Sequence, residues 1–170
     1  MQTKEINNTS IVSAFQEILK ALSTKEKNVI ERRIGLHGEK ETLQNIGDSF
    51  SPNITRERVR QIEDSGIKKI GRVVKATTLV QIQEYAKQIL EEHAWLLTKD
   101  KLINAIIKWF ELDKNINASI LETIVQSDYD IVKSKPKLRT RTYFYIPKIS
   151  KKSIDAIYKE ALSILKKRKD

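Results

Sequence analysis

The sequence contains no cysteine, which excludes disulfides and the thiolate sites that hold structural zinc. Its two histidines, His37 and His93, are too far apart for a metal cluster, so each is expected to cap or pack. No run of eighteen apolar residues occurs, and no charged, then apolar, then small-residue leader opens the chain. The expected location is therefore the cytoplasm, with no membrane partner. Catalytic signatures are missing as well: GxxxxGK(S/T), HExxH, GxSxG and the acidic-x-lysine element of many nucleases are all absent. The acidic pair Asp128 and Asp130 lacks further ligands and reads as a turn into a strand rather than a cation site. No enzyme activity and no cofactor is expected.

What the chain does have is charge, unevenly placed. Residues 131–170 hold 13 Lys or Arg against 3 Asp or Glu, whereas residues 1–130 balance at 19 against 19. The whole excess of +10 thus lies in the last forty residues. Such asymmetry suits a polyanionic partner, nucleic acid first, although a solubilising surface would look the same by charge alone.

Apolar spacing divides the chain into helices. After a polar leader (1–9), Ile11, Phe15, Ile18 and Leu22 form one helical face. Ser23 with Glu26 is a capping-box signature that starts a second helix carrying Val29, Ile30 and Ile34, and Gly35 and Gly38 are candidate left-handed caps at its end. A short helix from Thr42 turns Leu43, Ile46 and Phe50 inward; "SPN" breaks it, and Thr55 caps a fourth helix with Val59, Ile62 and Ile70 inside. A longer helix from about Thr78 to Leu97 buries Ile82, Tyr85, Ile89 and Leu96, either bridging two domains or pairing two copies of the chain. Thr98 caps a helix with Leu102, Ile106, Trp109 and Phe110 on one face, and a short helix spans Ala118 to Gln126. The period then changes: "YDIVKS" and "RTYFYIP" read as strands joined by a hairpin at "KPKLR", before a last helix burying Ile154, Ile157, Ala161 and Leu165.

The stretch "TRERVRQIE" (55–63) opens the fourth helix with an unusual density of planar hydrogen-bonding groups. Arginine pairs with guanine O6 and N7, glutamate accepts from cytosine N4, and glutamine pairs with adenine N6 and N7. Arg56, Glu57 and Gln61 fall within about one and a half turns and could read adjacent base pairs. A carboxylate aimed at DNA costs affinity, so Glu57 is easier to explain as base reading than as charge attraction. Arg58 and Arg60 would meet phosphates at the groove walls, with Lys68, Lys69 and Arg72 continuing the positive line. The bland alternative is a solvated helix face with supporting charge pairs. Farther on, Lys133, Lys135, Lys137, Arg139 and Arg141 alternate along the hairpin, which places them on one side of an extended strand as a phosphate-tracking edge needs. The alternative there is a charged hairpin protecting a sheet edge. Tyr143, Phe144 and Tyr145 could stack on bases, but one buried ring between exposed neighbours is the commoner arrangement.

The ordered string "LSTKEKNVIERRIGLHGEKETLQNIGDSFSPNITRERVRQIEDSGIKKIGR" resembles region four of the sigma-seventy family, the promoter-specificity factors of bacterial RNA polymerase. The resemblance implies a helix-turn-helix whose Arg56, Glu57 and Gln61 read the upstream promoter hexamer, of the type TTGACA, while Thr55, Arg58 and Arg60 touch phosphate. It further implies docking on the flap of the polymerase beta subunit. The chain departs from the family pattern in a longer "SPNI" turn and in Gly66, which would loosen the helix beyond the reading residues, and no part resembles region two, which melts DNA. The C-terminal order of elements resembles a winged-helix module, of the kind found in accessory subunits of bacterial polymerase.

The expected fold is mainly α: a helix-turn-helix domain (10–75), a bridging helix (76–97) and a small α+β winged-helix domain (98–170). The expected function is a sequence-specific, sigma-factor-like transcription factor with double-stranded DNA and the polymerase core as partners, and a homodimer through the 76–97 helix as a further option. The alternatives are a polymerase-binding adapter or sigma antagonist with nonspecific nucleic-acid binding, and the DNA-targeting subunit of an enzyme complex.

Overall fold

The computed structural model describes residues 6–135, 141–148 and 150–167. The chain is mainly helical: α1 (Asn8–Leu19), α2 (Thr24–Ile34), α3 (Leu43–Asp48), α4 (Arg56–Val74), α5 (Val80–Glu92), β1 (Leu96–Thr98), α6 (Lys99–Trp109), α7 (Ala118–Gln126), β2 (Val132–Lys133), β3 (Tyr143–Tyr145) and α8 (Lys151–Lys167). None of the described helices is long and apolar enough to cross a membrane.

Local chemistry sets most helix ends. Asn7 caps α1 and Ser23 caps α2, each through a reciprocal capping box, so two orphan amides are satisfied at each start. Gly35 ends α2 in the left-handed conformation with φ 67°, where a Cβ would come within 2.8 Å of the Gly38 carbonyl oxygen. Gly38 takes no part in that cap; its φ is not positive and open space surrounds it. Gly66 does not loosen α4 either. The helix runs unbroken through it, and the missing side chain lets Ile30 of α2 lie against the α4 backbone.

Two apolar clusters hold the elements together. The smaller one, Val29, Ile46 and Val59, joins α2, α3 and α4 into a helix-turn-helix with its own core. The larger runs without interruption from Ile11 and Phe15 of α1 through Ile70 of α4, Ile82 and Leu90 of α5, and Leu121 and Ile124 of α7 to Phe144 of β3. The C-terminal elements follow the winged-helix order: a helix, β1, two helices and the β2–β3 hairpin, with β1 and β2 both antiparallel to a central β3.

Four further expectations are corrected. The helix expected to reach Leu97 ends at Glu92, because Ala94 and Trp95 adopt positive φ (53° and 69°) and the Trp95 amide donates back to the Leu90 carbonyl. Leu96 therefore belongs to β1, a strand not foreseen, which pairs with β3 at Tyr145. Trp109 is 62% exposed rather than inward, its ring stacked at 4.6 Å on Tyr85 at the surface. Ile157 of α8 is 66% exposed rather than buried, while the Ala161 and Leu165 side chains lie outside the described residues.

Candidate nucleic-acid interface

The front of α4 is set by the turn before it. The Ile54 amide donates to the Gly47 carbonyl, and a Cβ on Gly47 would meet the Ile54 carbonyl oxygen at 2.5 Å, so a glycine is needed for α3 to lie against this turn. Thr55 then caps the helix, its Oγ1 accepting from the Arg58 amide at 3.1 Å. Val59 is fully buried beneath the first turn, and this forces Arg56, Glu57, Arg58, Arg60 and Gln61 into solvent.

These side chains form two sets of interactions. Arg60 makes a forked contact with Glu57, Nε donating to Oε2 at 2.9 Å and Nη2 to Oε1 at 2.7 Å, and its Nη1 reaches Asp64. Arg58 Nη1 donates to Gln61 Oε1 at 3.0 Å. Hydrogen bonding by Arg60 holds the Glu57 carboxyl below its ordinary pKa, with a further small contribution from Lys135, and the same contacts raise Arg60. Each candidate base reader except Arg56 is thus bound to a candidate phosphate contact. Exposed pairs of this kind contribute little in water, so DNA can replace them at small cost. Glu57, Gln61, Asp64, Lys68 and Arg72 recur at three- and four-residue spacing, so Lys68 and Arg72 extend the exposed stripe.

The other candidates are placed differently. Lys69 Nζ lies 2.8 Å from Glu26 Oε2 and serves the α2–α4 contact. Lys133 Nζ is 2.6 Å from Glu122 Oε1 on α7. Lys135 and Arg141 are exposed at the two sides of the hairpin, whereas Lys137 and Arg139 lie outside the described residues. Phe144 is fully buried between the half-buried Tyr143 and Tyr145. His93 caps α5 through Nδ1 against the Ile89 carbonyl, and His37 faces Glu31 at 3.6 Å. Asp128 and Asp130 flank Lys87 at 3.1 and 3.7 Å, and among the described residues no group of three or more His, Asp or Glu could hold a metal.

Three supports of the interface were missed in the sequence, where Glu26 showed only as half of a capping box. Glu26, 6% exposed, accepts from Ser23, from Ser65 Oγ and from Lys69. Burial opposes its ionisation, but these donors prevail and lower its pKa to about 2. Arg33 Nε donates to Glu63 at 3.0 Å and its Nη1 to the Glu41 carbonyl, tying α2 both to α4 and to the loop before α3. Gly71 allows the α4 backbone to touch the end of α7. Only the Ser23–Glu26 spacing carried a sequence signal; the other partners are distant along the chain.

Residues 18–71 match the family model for sigma-70, region 4. The chain is similar to RNA polymerase sigma factor SigA of Lactococcus lactis subsp. cremoris, 38% identical over 65 residues that make up 38% of this chain and 17% of that protein. SigA of Microcystis aeruginosa is 37% identical over 67 residues, 39% of this chain and 16% of the relative. RNA polymerase sigma factor RpoD of Helicobacter pylori is 39% identical over 77 residues, 41% of this chain and 11% of the relative. The chain thus spans about a sixth or less of the length of these curated relatives. No solved structure matches it.

Proposed function

We propose that this chain, whose residues 18–71 match sigma-70 region 4, is a sequence-specific DNA-binding transcription factor that works with RNA polymerase and has no enzymatic activity of its own. The observation that carries the reading is the front of α4: a capped helix over a private apolar core, offering Arg56, Glu57 and Gln61 to solvent with arginines beside them. In a helix-turn-helix the second helix enters the major groove with its N-terminal residues at the base edges. Arg56, Glu57 and Gln61 read bases; Thr55, Arg58 and Arg60 hold phosphate, and Lys68 and Arg72 lie along the same stripe. The polymerase core, at the beta flap, is the protein partner that the family match suggests. The division at about residue 75 into a helix-turn-helix unit and a winged-helix unit belongs to this reading, with the two units resting on one shared core.

The test is a panel of duplexes carrying every base at each position of a TTGACA-type hexamer. Arg56→Ala and Glu57→Ala are each expected to relax preference at one position and to weaken the best duplex on the order of ten- to a hundred-fold. If both variants weaken all duplexes alike, α4 does not read bases, and a polymerase-binding adapter becomes the better account.

A further inference from the structure

The C-terminal unit contains a second pair of helices, α6 and α7, in the position where a helix-turn-helix would present a reading helix. That helix has little free surface, its one exposed residue being Ala118, which carries no polar group. Ser119, Ile120, Leu121, Thr123, Ile124 and Val125 of α7 are all buried, and Glu122 is held by Lys133 at 2.6 Å. Helix α7 lies between α5, α6 and α4, so it cannot enter a groove without the core coming apart.

The strand that follows α7 instead borders a groove beside α4. Lys133 lines one groove together with Glu63 of α4 and Arg33 of α2. Two residues farther along an extended strand is about 6.6 Å. From Glu63 back to Glu57 along the helix is about 9 Å. Lys135, exposed and two residues beyond Lys133, is near enough to the first turn of α4 for its charge to help lower the Glu57 pKa. Around the α4 axis, Arg56, Arg60, Ile67 and Gly71 fall within about 60° of one another. Ile67 and Gly71 are buried, and Gly71 lies against the end of α7. The reading helix thus turns Arg56 and Arg60 toward the side occupied by the C-terminal unit. The hairpin is anchored to its own sheet and to the start of α6, with the Ser134 amide donating to the Tyr143 carbonyl at 2.8 Å and the Lys99 amide to the Thr142 carbonyl at 2.8 Å.

We propose that the wing of the C-terminal unit serves the reading helix of the N-terminal unit: Lys135 and Arg141 bind the DNA backbone beside the base pairs read by α4, making one continuous footprint from two units. This rests on the reading of α4 as a DNA-binding helix. The winged unit then adds phosphate contacts and fixes their register relative to α4, but reads no bases itself.

Two measurements separate this proposal from the reading beneath it. The chain lacks cysteine, so Lys135→Cys and Ser51→Cys, the latter exposed in the turn before α4 and lining one groove with Arg58 and Gln61, each give one attachment point for an iron chelate that cleaves nearby DNA backbone. Tethered at 51, cleavage is expected within or beside the preferred site; tethered at 135, it is expected on the backbone within about three base pairs of that site, since phosphates of one strand are spaced about 3.4 Å along the axis. The double variant Lys135→Ala, Arg141→Ala is expected to keep the wild-type base preference while the slope of log K against log salt falls by about 1.8, which is about 0.9 for each phosphate no longer neutralised. Local cleavage from 51 with none from 135, or an unchanged slope, would overturn the shared footprint and leave the reading helix standing. Diffuse cleavage from both positions, with no base preference in the wild type, would overturn both.

Discussion

Gly71→Ala offers a test in which two effects of opposite sign compete. In an isolated helix, alanine is more favourable than glycine by about 1 kcal/mol, so at an open position this change would stabilise α4. At 71, however, the new Cβ would lie 2.1 Å from the Ser127 carbonyl oxygen and 3.0 Å from its carbon. Ordinary contact begins at 3.4 Å, so α4 and the end of α7 must separate by more than 1 Å. The obstacle is backbone, which no rotamer change can move. Separation would also disturb Gln83, whose Nε2 donates to the Ile124 carbonyl at 2.9 Å and to Ser127 Oγ at 3.0 Å. Overpacking of this kind costs about 1–3 kcal/mol, and loosened apolar packing around Ile70 adds to it. A net loss of about 2 kcal/mol corresponds to a fall in Tm of about 4–8 °C for a chain of this size. Calorimetry on the purified variant measures it. Gly66→Ala is the control, because its Cβ meets side chains and no backbone, Ile30 at 3.1 Å and Glu26 at 3.6 Å, so a shift of a few tenths of an ångström suffices. If Gly71→Ala raises Tm as an exposed glycine replacement would, the close approach of α4 to α7 is wrong.

Three further outcomes follow from the same interactions. The Glu26 carboxyl has a folded pKa of about 2 against an ordinary 4.5, so its stabilising contribution is complete above pH 4.5 and is lost as pH falls toward 2. Glu26→Gln should cost about 2–3 kcal/mol at neutral pH and flatten that part of the stability profile, as followed by urea titration at several pH values. Thr55→Ala removes the cap of α4 and should cost about 1 kcal/mol, with hydrogen exchange rising first at the amide of Arg58. Ile46→Ala empties the centre of the small cluster under the turn and should cost about 2–5 kcal/mol by chemical denaturation, weakening DNA binding through misplacement of α4 because the side chain itself is buried away from DNA.

Local signals in the sequence located much of this architecture. The capping box of α2, the Thr55 cap and the bounds of α7 depend on neighbours within four residues, and all were legible. The hairpin was legible because its strands are rich in β-branched and aromatic residues. Where the structure departed, the cause was distant. Ile82, Ile89 and Leu96 keep a seven-residue spacing that continues a helical face past its true end, and no glycine or proline marks the left-handed residues Ala94 and Trp95. Only pairing with β3, nearly fifty residues away, defines β1. Trp109 sits at helical spacing with Leu102 and Ile106 yet stacks on Tyr85 at the surface. The residue types at the front of α4 could be read directly, but their pairing into Glu57–Arg60–Asp64 and Arg58–Gln61 depends on rotamers.

The central claim, that α4 reads bases, is tested most directly by fluorescence anisotropy. A labelled duplex containing TTGACA is compared with a scrambled one across a salt series, with no polymerase present. The account predicts a preference for the hexamer that persists as salt rises, because base contacts release few counterions. Equal affinity for both duplexes, falling steeply and in parallel with salt, would contradict it.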